Sequence, residues 1–159
     1  MLKFIQLIRD CLSDVKEIMP WDLEERLKAN PDLLVVDVRE PDEFDAMHIP
    51  GSLPVPRGIL ESACEWDYEE TEPELVRARE REIVVVCRSG YRSILAAHSM
   101  QVLGYENVVS LQTGLRGWND FEQPLEDQQG RRVDLDDADE YFAAGLREDQ
   151  KKPADWLEA

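Results

Sequence analysis

Basic residues are scarce in this chain of 159 residues, which has 18 Lys and Arg against 35 Asp and Glu and a net charge of −17. Nucleic acids and anionic membranes attract positive surfaces, so this balance argues against both as partners. It also repels anions at long range, so an anionic substrate would need a local positive pocket. The chain also lacks an apolar run near the roughly 18 residues that a membrane-spanning helix requires.

The residues that usually carry metal and nucleotide chemistry are also few. Two histidines and three cysteines are present, and the cysteine spacings fit no zinc pattern. Paired catalytic carboxylates and a glycine-rich nucleotide loop are missing as well, so we expect no cofactor and no metal. Three cysteines cannot all pair within one chain, which favours a reducing, cytoplasmic location.

The N-terminal segment is apolar but interrupted by polar residues, and no small-residue cleavage site follows, so a secretory signal is not expected. Apolar residues recur there at steps of three and four, which predicts an amphipathic helix. The stripe comprises Ile5, Ile8, Leu12, Val15 and Met19. Such a helix either docks on its own domain or mediates a partner or homodimer contact.

Three short runs of β-branched and apolar residues predict strands buried on both faces, as in a parallel sheet. They cover residues 33–38, 83–86 and 107–111, and a weaker edge strand is predicted at 52–55. Helices are predicted from Pro20 to the Asn30-Pro31 stop, from a capping box at 71–74 through Glu82, and over 92–103 and 114–121. Strands alternating with helices indicate an α/β fold.

The segment after Pro124 is strongly polar, although Tyr141, Phe142 and Leu146 share one side of a helix predicted over 136–148. We therefore divide the chain into an N-terminal helix (1–14), a central domain (15–125) and a partly helical C-terminal extension (126–159). The sequence gives no role for the extension.

Cys87 follows the strand at 83–86 directly, and a helix begins a few residues later. Ligands of open α/β sheets bind beyond the carboxyl ends of the strands, and a helix N-terminus favours an anion. We therefore predict that Cys87 is a thiolate nucleophile in an anion-binding loop. The loop residues are Arg88, Ser89, Gly90, Tyr91, Arg92 and Ser93. Free cysteines are more often small buried hydrophobes, which is the interpretation for Cys11 and Cys64.

The length of the loop bears on its chemistry. Four residues separate Cys87 from Arg92, whereas a cysteine–arginine phosphatase needs five to encircle three phosphoryl oxygens. The shorter loop leaves room for little more than one extra sulfur atom on Cys87. A persulfide has a small, negatively charged outer sulfur, and a tight ring of backbone amides suits it.

The combined motifs resemble the rhodanese-like domain family. They are the loop from Cys87 to Ser93, Asp37-Val38-Arg39-Glu40 with Glu43-Phe44, the His48-Ile49-Pro50-Gly51-Ser52 turn, Leu103-Gly104-Tyr105, and Gly114 with Gly117-Trp118. The resemblance covers about Val15 to Leu125. Two residues depart from the family pattern, because Met47 and Thr113 stand where glycines are usual.

The resemblance implies a five-stranded, mainly parallel sheet flanked by helices. It also implies a single-domain sulfurtransferase in which Cys87 carries a persulfide. The expected partners are a small sulfur donor such as thiosulfate and a thiophilic acceptor, either cyanide, a thiol or a protein. Two alternatives stay open: a rhodanese-like binding or regulatory module without turnover, and a cysteine phosphatase or arsenate reductase.

We expect several charged residues to support the function of the loop. Arg88 and Arg92 are expected to attract the anionic donor, and Arg57 to line the pocket mouth. Asp37 ends a strand at the same edge of the sheet and is expected to anchor loop amides or an arginine. Arg39 and Glu43 are expected to form a local ion pair. His48 is expected to lock its turn by hydrogen bonding.

Overall fold

Five parallel strands form one sheet, in the spatial order β1-β5-β4-β2-β3. The strands are β1 (Glu17–Ile18), β2 (Leu34–Asp37), β3 (Leu53–Pro54), β4 (Ile83–Val86) and β5 (Val108–Leu111). A computed structural model describes residues 1–157. The five-stranded, mainly parallel sheet that the family resemblance implies is confirmed.

Eight α-helices are present in residues 1–157. They are α1 (Phe4–Cys11), α2 (Pro20–Ala29), α3 (Pro41–Ala46), α4 (Leu60–Ala63), α5 (Pro73–Val76), α6 (Tyr91–Val102), α7 (Gly114–Asp120) and α8 (Leu135–Phe142). Short 3₁₀ turns lie at Arg57–Ile59 and Glu148–Gln150. Within this described part of the chain, no helix combines the length and the apolar character needed to cross a membrane.

The central strands are buried on both faces because apolar layers cover each side of the sheet. All four residues of β2, β4 and β5 are buried. One layer includes Ile8 of α1 and Ile94 of α6, and the other includes Leu115 and Trp118 of α7. Alternate residues of each strand face opposite layers, which is why these strands read as nearly continuous apolar runs.

The N-terminal helix is shorter than the apolar stripe predicted. It ends at Cys11, and Glu17–Ile18 pairs with β5 as the edge strand of the sheet. Ile18 lies in the core as a strand residue, and the predicted stripe residues Val15 and Met19 lie beyond the helix. A strand of two residues is too short to show the alternation by which strands are recognised.

Two further helices end earlier than predicted. The charged segment from Pro73 is helical only to Val76, and α8 ends at Phe142. Few residues between 77 and 82 are apolar, so a longer helix there would have little surface to bury. Ala143 is extended and Leu146 is exposed, so the last apolar residue of the predicted C-terminal stripe lies outside the core.

Candidate active site

Cys87 lies at the carboxyl end of β4, and its side chain is buried, with 1% of the residue exposed. Two backbone N–H groups donate to its Sγ, from Gly90 at 3.1 Å and from Ser93 at 3.4 Å. The Ser93 Oγ also lies 3.4 Å from the sulfur and is 2.7 Å from the Ser110 Oγ. The two amide donors point at the sulfur as they would in an anion-binding site, because hydrogen bonds to an ionised group are the stronger ones.

Gly90 gives the loop the turn that aims its amides at the sulfur. Its φ of +99° lies in the left-handed region, which side chains disfavour. A Cβ at this position would lie 3.1 Å from the Thr113 nitrogen and 3.2 Å from the Leu111 oxygen. The glycine is therefore required both by its backbone angle and by the close approach of the chain that follows β5.

The N-terminus of α7 holds the other side of the loop. Leu115 N donates to the Cys87 carbonyl at 2.8 Å, and Arg116 N donates to the Arg88 carbonyl at 3.0 Å. These bonds satisfy helix N–H groups that have no partner within the helix. Because two loop carbonyls are engaged by α7, the loop is held in the conformation that aims the Gly90 and Ser93 amides at the sulfur.

Close contact between α7 and the loop explains why Gly114 of the family motif is a glycine. The position before it, where the family pattern also has a glycine, is a threonine in this chain. A Cβ on Gly114 would lie 2.5 Å from the Cys87 carbonyl oxygen, so only glycine fits. Thr113, the departure from the family pattern, adopts a φ of +70° although it is not a glycine. Such a conformation typically costs about 1–2 kcal/mol for a residue with a Cβ.

Arg92 is held by Glu43 rather than free to meet a substrate. Its two terminal nitrogens donate to the Glu43 carboxylate at 2.8 and 2.9 Å, in a bidentate pair. Hydrogen bonding to Arg92 lowers the pKa of Glu43 below its ordinary value. The Glu43 carboxylate therefore partly neutralises the positive charge that Arg92 would offer to an anion.

The lowered pKa of Glu43 predicts an acid-sensitive contribution to stability. It is fully present above pH 4.5 and is lost as the pH falls through the lowered pKa of the folded protein. Both side chains are partly exposed, so we expect at most about 1 kcal/mol. Urea unfolding at pH 7 and pH 3 should show a smaller loss on acidification for Glu43→Gln than for the wild type. Glu61→Gln, which removes the exposed partner of Arg57, should keep the wild-type loss; an equal effect of both variants would contradict the assignment.

Asp37, the last residue of β2, forms a buried ion pair with Arg39. The Arg39 Nη2 lies 2.8 Å from Asp37 and also donates to the Met47 carbonyl at 2.7 Å. Both side chains are fully buried. The predicted pair between Arg39 and Glu43 is therefore wrong, because Arg39 binds Asp37 and Glu43 binds Arg92.

Arg57 forms its side-chain hydrogen bonds with residues outside the cysteine loop. Within the described part of the chain, its guanidinium binds Glu61 at 2.8 Å and the Ser99 hydroxyl at 3.2 Å rather than a loop residue. His48 fixes its turn, since its ring bonds to the Phe44 carbonyl at 2.9 Å and stacks on the Phe44 ring. Its backbone also pairs with Glu126, which ties the start of the C-terminal extension to this turn.

Sequence reasoning missed the contribution of the C-terminal extension to the site. Arg88 donates through Nη2 to the carbonyl of Phe142 at 2.9 Å and to that of Ala143 at 3.2 Å. The loop arginine that follows the cysteine is thus bonded to the end of α8. The only sequence signal was the apolar pair Tyr141-Phe142 in a polar segment, and it does not indicate what the pair contacts.

The other two cysteines are buried in the apolar layers and lie outside the loop. Burial raises the pKa of the Cys64 thiol, and the nearby Glu61 and Glu65 carboxylates add to that effect. The residues from 1 to 157 contain no group of three His, Cys, Asp or Glu side chains arranged to hold a metal ion.

A protein-family model described as "Rhodanese-like domain" matches residues 19–121. The chain is 30% identical over 106 residues to the "Putative sulfur carrier protein YrkF" of Bacillus subtilis, a match covering 67% of this chain and 52% of that protein. The chain therefore spans about half the length of that relative. It is 32% identical over 104 residues to a "Sulfurtransferase" of Allochromatium vinosum, covering 65% of this chain and 88% of the relative.

A solved structure from Rhodopseudomonas palustris CGA009 is similar with a TM-score of 0.71 and 27% identity. The similarity covers 79% of this chain and 96% of that one, which is described as "Protein of Unknown Function RPA3614, Possible Tyrosine Phosphatase". The matched share exceeds the residues covered by the family model, so part of the similarity extends beyond the central domain.

Proposed function

Since the chain belongs to the rhodanese-like domain family, we propose that it is a sulfurtransferase that carries a sulfane sulfur on Cys87. The observation that carries this proposal is the buried Sγ with the Gly90 and Ser93 amides directed at it. These two amides suit a small anion better than one as large as phosphate. The family's sulfurtransferase relatives support the same reaction class.

In the first half-reaction, the Cys87 thiolate attacks the outer sulfur of a donor such as thiosulfate. A sulfur–sulfur bond forms to Cys87, and the sulfur–sulfur bond of thiosulfate breaks, releasing sulfite with the bonding electron pair. The thiolate becomes a persulfide anion, so the charge is conserved. The backbone amides that hold the thiolate are placed to hold the outer sulfur, as an oxyanion hole holds developing charge.

In the second half-reaction, a thiophilic acceptor attacks the outer sulfur of the persulfide. With cyanide, a carbon–sulfur bond forms, thiocyanate leaves, and the electron pair of the broken sulfur–sulfur bond returns to Cys87 as thiolate. With a thiolate acceptor, the same step yields the acceptor persulfide. Because Cys87 returns to its starting state, the cycle needs no cofactor.

The two alternative functions predict different contacts around the loop. A cysteine phosphatase needs a guanidinium available to the phosphoryl oxygens, whereas both terminal nitrogens of Arg92 bind Glu43. A binding module does not need amides directed at a buried sulfur. We therefore place phosphatase and binding-module functions second to sulfur transfer.

Steady-state kinetics test this proposal. Thiocyanate formation from thiosulfate and cyanide should give parallel double-reciprocal lines, which are the mark of a ping-pong cycle through a covalent intermediate. Hydrolysis of p-nitrophenyl phosphate by the same preparation should stay at the level of a Cys87→Ala control. Phosphate release without thiocyanate would overturn the proposal in favour of a phosphatase.

Alkylation at mildly acidic pH provides a second prediction, because only a thiolate reacts rapidly. Cys87 accepts amide hydrogen bonds, whereas burial raises the pKa of Cys64. Peptide mapping after brief iodoacetamide treatment at pH 6 should therefore find the label on Cys87 first. Pretreatment with thiosulfate should move the label to the outer sulfur, adding one sulfur to the modified peptide. Labelling of Cys64 ahead of Cys87 would contradict the assignment.

A further inference from the structure

Arg88 differs from the other arginines that the sequence predicts around the site, because its side chain binds neutral groups. Its Nη2 donates to the carbonyls of Phe142 at 2.9 Å and Ala143 at 3.2 Å. The other three arginines bind carboxylates, in the pairs Arg39–Asp37, Arg57–Glu61 and Arg92–Glu43. Within residues 1–157, the charge of Arg88 is therefore not paired with a carboxylate.

The two acceptors of Arg88 lie where α8 ends. The last carbonyls of a helix have no partner within it, and the negative end of the helix dipole also favours a cation there. Phe142 is the last residue of α8, and Ala143 follows it. Because Arg88 comes directly after Cys87 in the chain, this contact restrains the guanidinium of the residue next to the nucleophile.

Helix α8 is itself firmly packed, although it lies outside the residues 19–121 that the family model matches. Ala138 and Phe142 are each 2% exposed and belong to the core layer that contains Trp118. The Asn119 side-chain amide also donates to the Asp139 carboxylate at 2.6 Å, and Asn119 is 3% exposed. The acceptors of Arg88 are thus held in place by the core and by α7.

We propose that α8 positions Arg88, and that the restrained guanidinium gives Cys87 a preference for anionic sulfur donors over neutral molecules of similar size. The net charge of −17 repels anions at long range, so an anionic donor needs positive charge at the site. Arg92 supplies less of it, because Glu43 binds both of its terminal nitrogens. The inference rests on the proposed function and specifies the charge of its donor.

Restraint matters because an unrestrained arginine side chain is a poor source of local charge. Such a side chain samples many rotamers, and water and salt screen its charge once it extends from the surface. The hydrogen bonds to Phe142 and Ala143 offset the entropy that is lost when Arg88 is held in one arrangement. Displacement of α8 would remove both acceptors and leave the charge of Arg88 in the protein but no longer fixed.

The test compares the rates at which Cys87 reacts with iodoacetate, an anion, and with iodoacetamide, a neutral reagent of nearly the same size. Both reagents require the same thiolate, so the ratio of their rates reports the local charge. Arg88→Gln should lower the anion-to-neutral ratio on the order of fivefold, the effect of one unit charge acting across a few ångströms of water. Asp139→Ala and Phe142→Ala keep Arg88 but loosen α8, and both should lower the ratio towards the Arg88→Gln value.

Two variants of α8 control for the charge that Asp139→Ala removes. Asp139→Asn loses the same charge but keeps an oxygen that can accept from Asn119, so it should keep the wild-type ratio. Asp137→Ala removes an exposed carboxylate of α8 that does not bind Asn119, and it should also keep that ratio. Circular dichroism establishes that each variant is folded. A wild-type ratio in Arg88→Gln, or in both Asp139→Ala and Phe142→Ala, would overturn the inference.

Steady-state kinetics with thiosulfate give the second readout. In a ping-pong cycle, kcat/KM for thiosulfate reports the donor half-reaction alone, and Asp139→Ala should lower it by about the factor found for the alkylation ratio. An unchanged value would contradict the claim about the donor. The alkylation ratio does not require sulfur transfer, so the two hypotheses fail separately. A wild type that prefers iodoacetate in this way but transfers no sulfur would overturn the proposed function, while the positioning of Arg88 by α8 would stand.

Discussion

The Cys87→Ser variant is expected to form no persulfide and to lose thiocyanate production to the level of the uncatalysed reaction. A serine hydroxyl is neither acidic enough to stand as an anion in this loop nor soft enough to accept a sulfane sulfur. The backbone donors at Gly90 and Ser93 stay in place, so the loss reports the nucleophile alone. Thiocyanate assay and intact mass after donor treatment measure it directly.

Two sets of controls separate chemistry from folding in that experiment. Cys87→Ala should keep the wild-type fold by circular dichroism, because it removes one polar atom at the floor of the site. Cys11→Ser and Cys64→Ser should keep turnover close to wild type, since both thiols lie outside the loop. Normal sulfur transfer by Cys87→Ser would show that the nucleophile and the mechanism are both wrongly assigned.

The Asp37→Asn variant is expected to lose about 3–5 kcal/mol of stability, the usual cost of leaving a buried charge without its partner. Asp37 accepts three hydrogen bonds from the Arg39 side chain, and both side chains are fully buried. Within residues 1–157, the Arg39 Nη1 is already buried without a hydrogen-bond partner. The Met47 carbonyl, which also accepts a hydrogen bond from Arg39, carries no full charge and does not neutralise the guanidinium. Urea unfolding at pH 7 measures the change.

Glu24→Gln is the matched control for that variant, because it removes the carboxylate of the exposed Lys28–Glu24 pair on α2. Exposed pairs typically contribute about 0–1 kcal/mol, so the control should unfold near the wild-type midpoint. Similar small losses in both variants would contradict the view that Asp37 and Arg39 are a structural pair beneath the site.

The sequence predicts the central strands and the site loop well because their signals are local. The β-branched runs at 34–37, 83–86 and 108–111 belong to strands that are fully buried, and burial itself creates the continuous apolar pattern. The site loop is also predictable, because a cysteine at a strand end followed by a glycine and a helix indicates a local turn. Gly90 is required by its own backbone angle.

Contacts between residues that are far apart in the sequence leave no such local pattern. Arg39 and Glu43 are close in sequence and opposite in charge, yet each binds a partner set by the fold, Asp37 and Arg92. The bond from Arg88 to the Phe142 carbonyl joins residues 54 positions apart and involves a main-chain acceptor that every residue has. Sequence patterns cannot identify such an acceptor, so the contact between the cysteine loop and the C-terminal extension emerges only from the structure.

The most direct test of the central claim is the intact mass of the reduced protein after incubation with thiosulfate and removal of the excess donor. We expect a gain of one sulfur atom, located on Cys87 by peptide mapping and removed by cyanide with release of thiocyanate. The Cys87→Ala protein should show no gain under the same conditions. An unchanged mass in the wild type, with Cys87 reduced and alkylatable, would contradict the claim that this loop carries a persulfide.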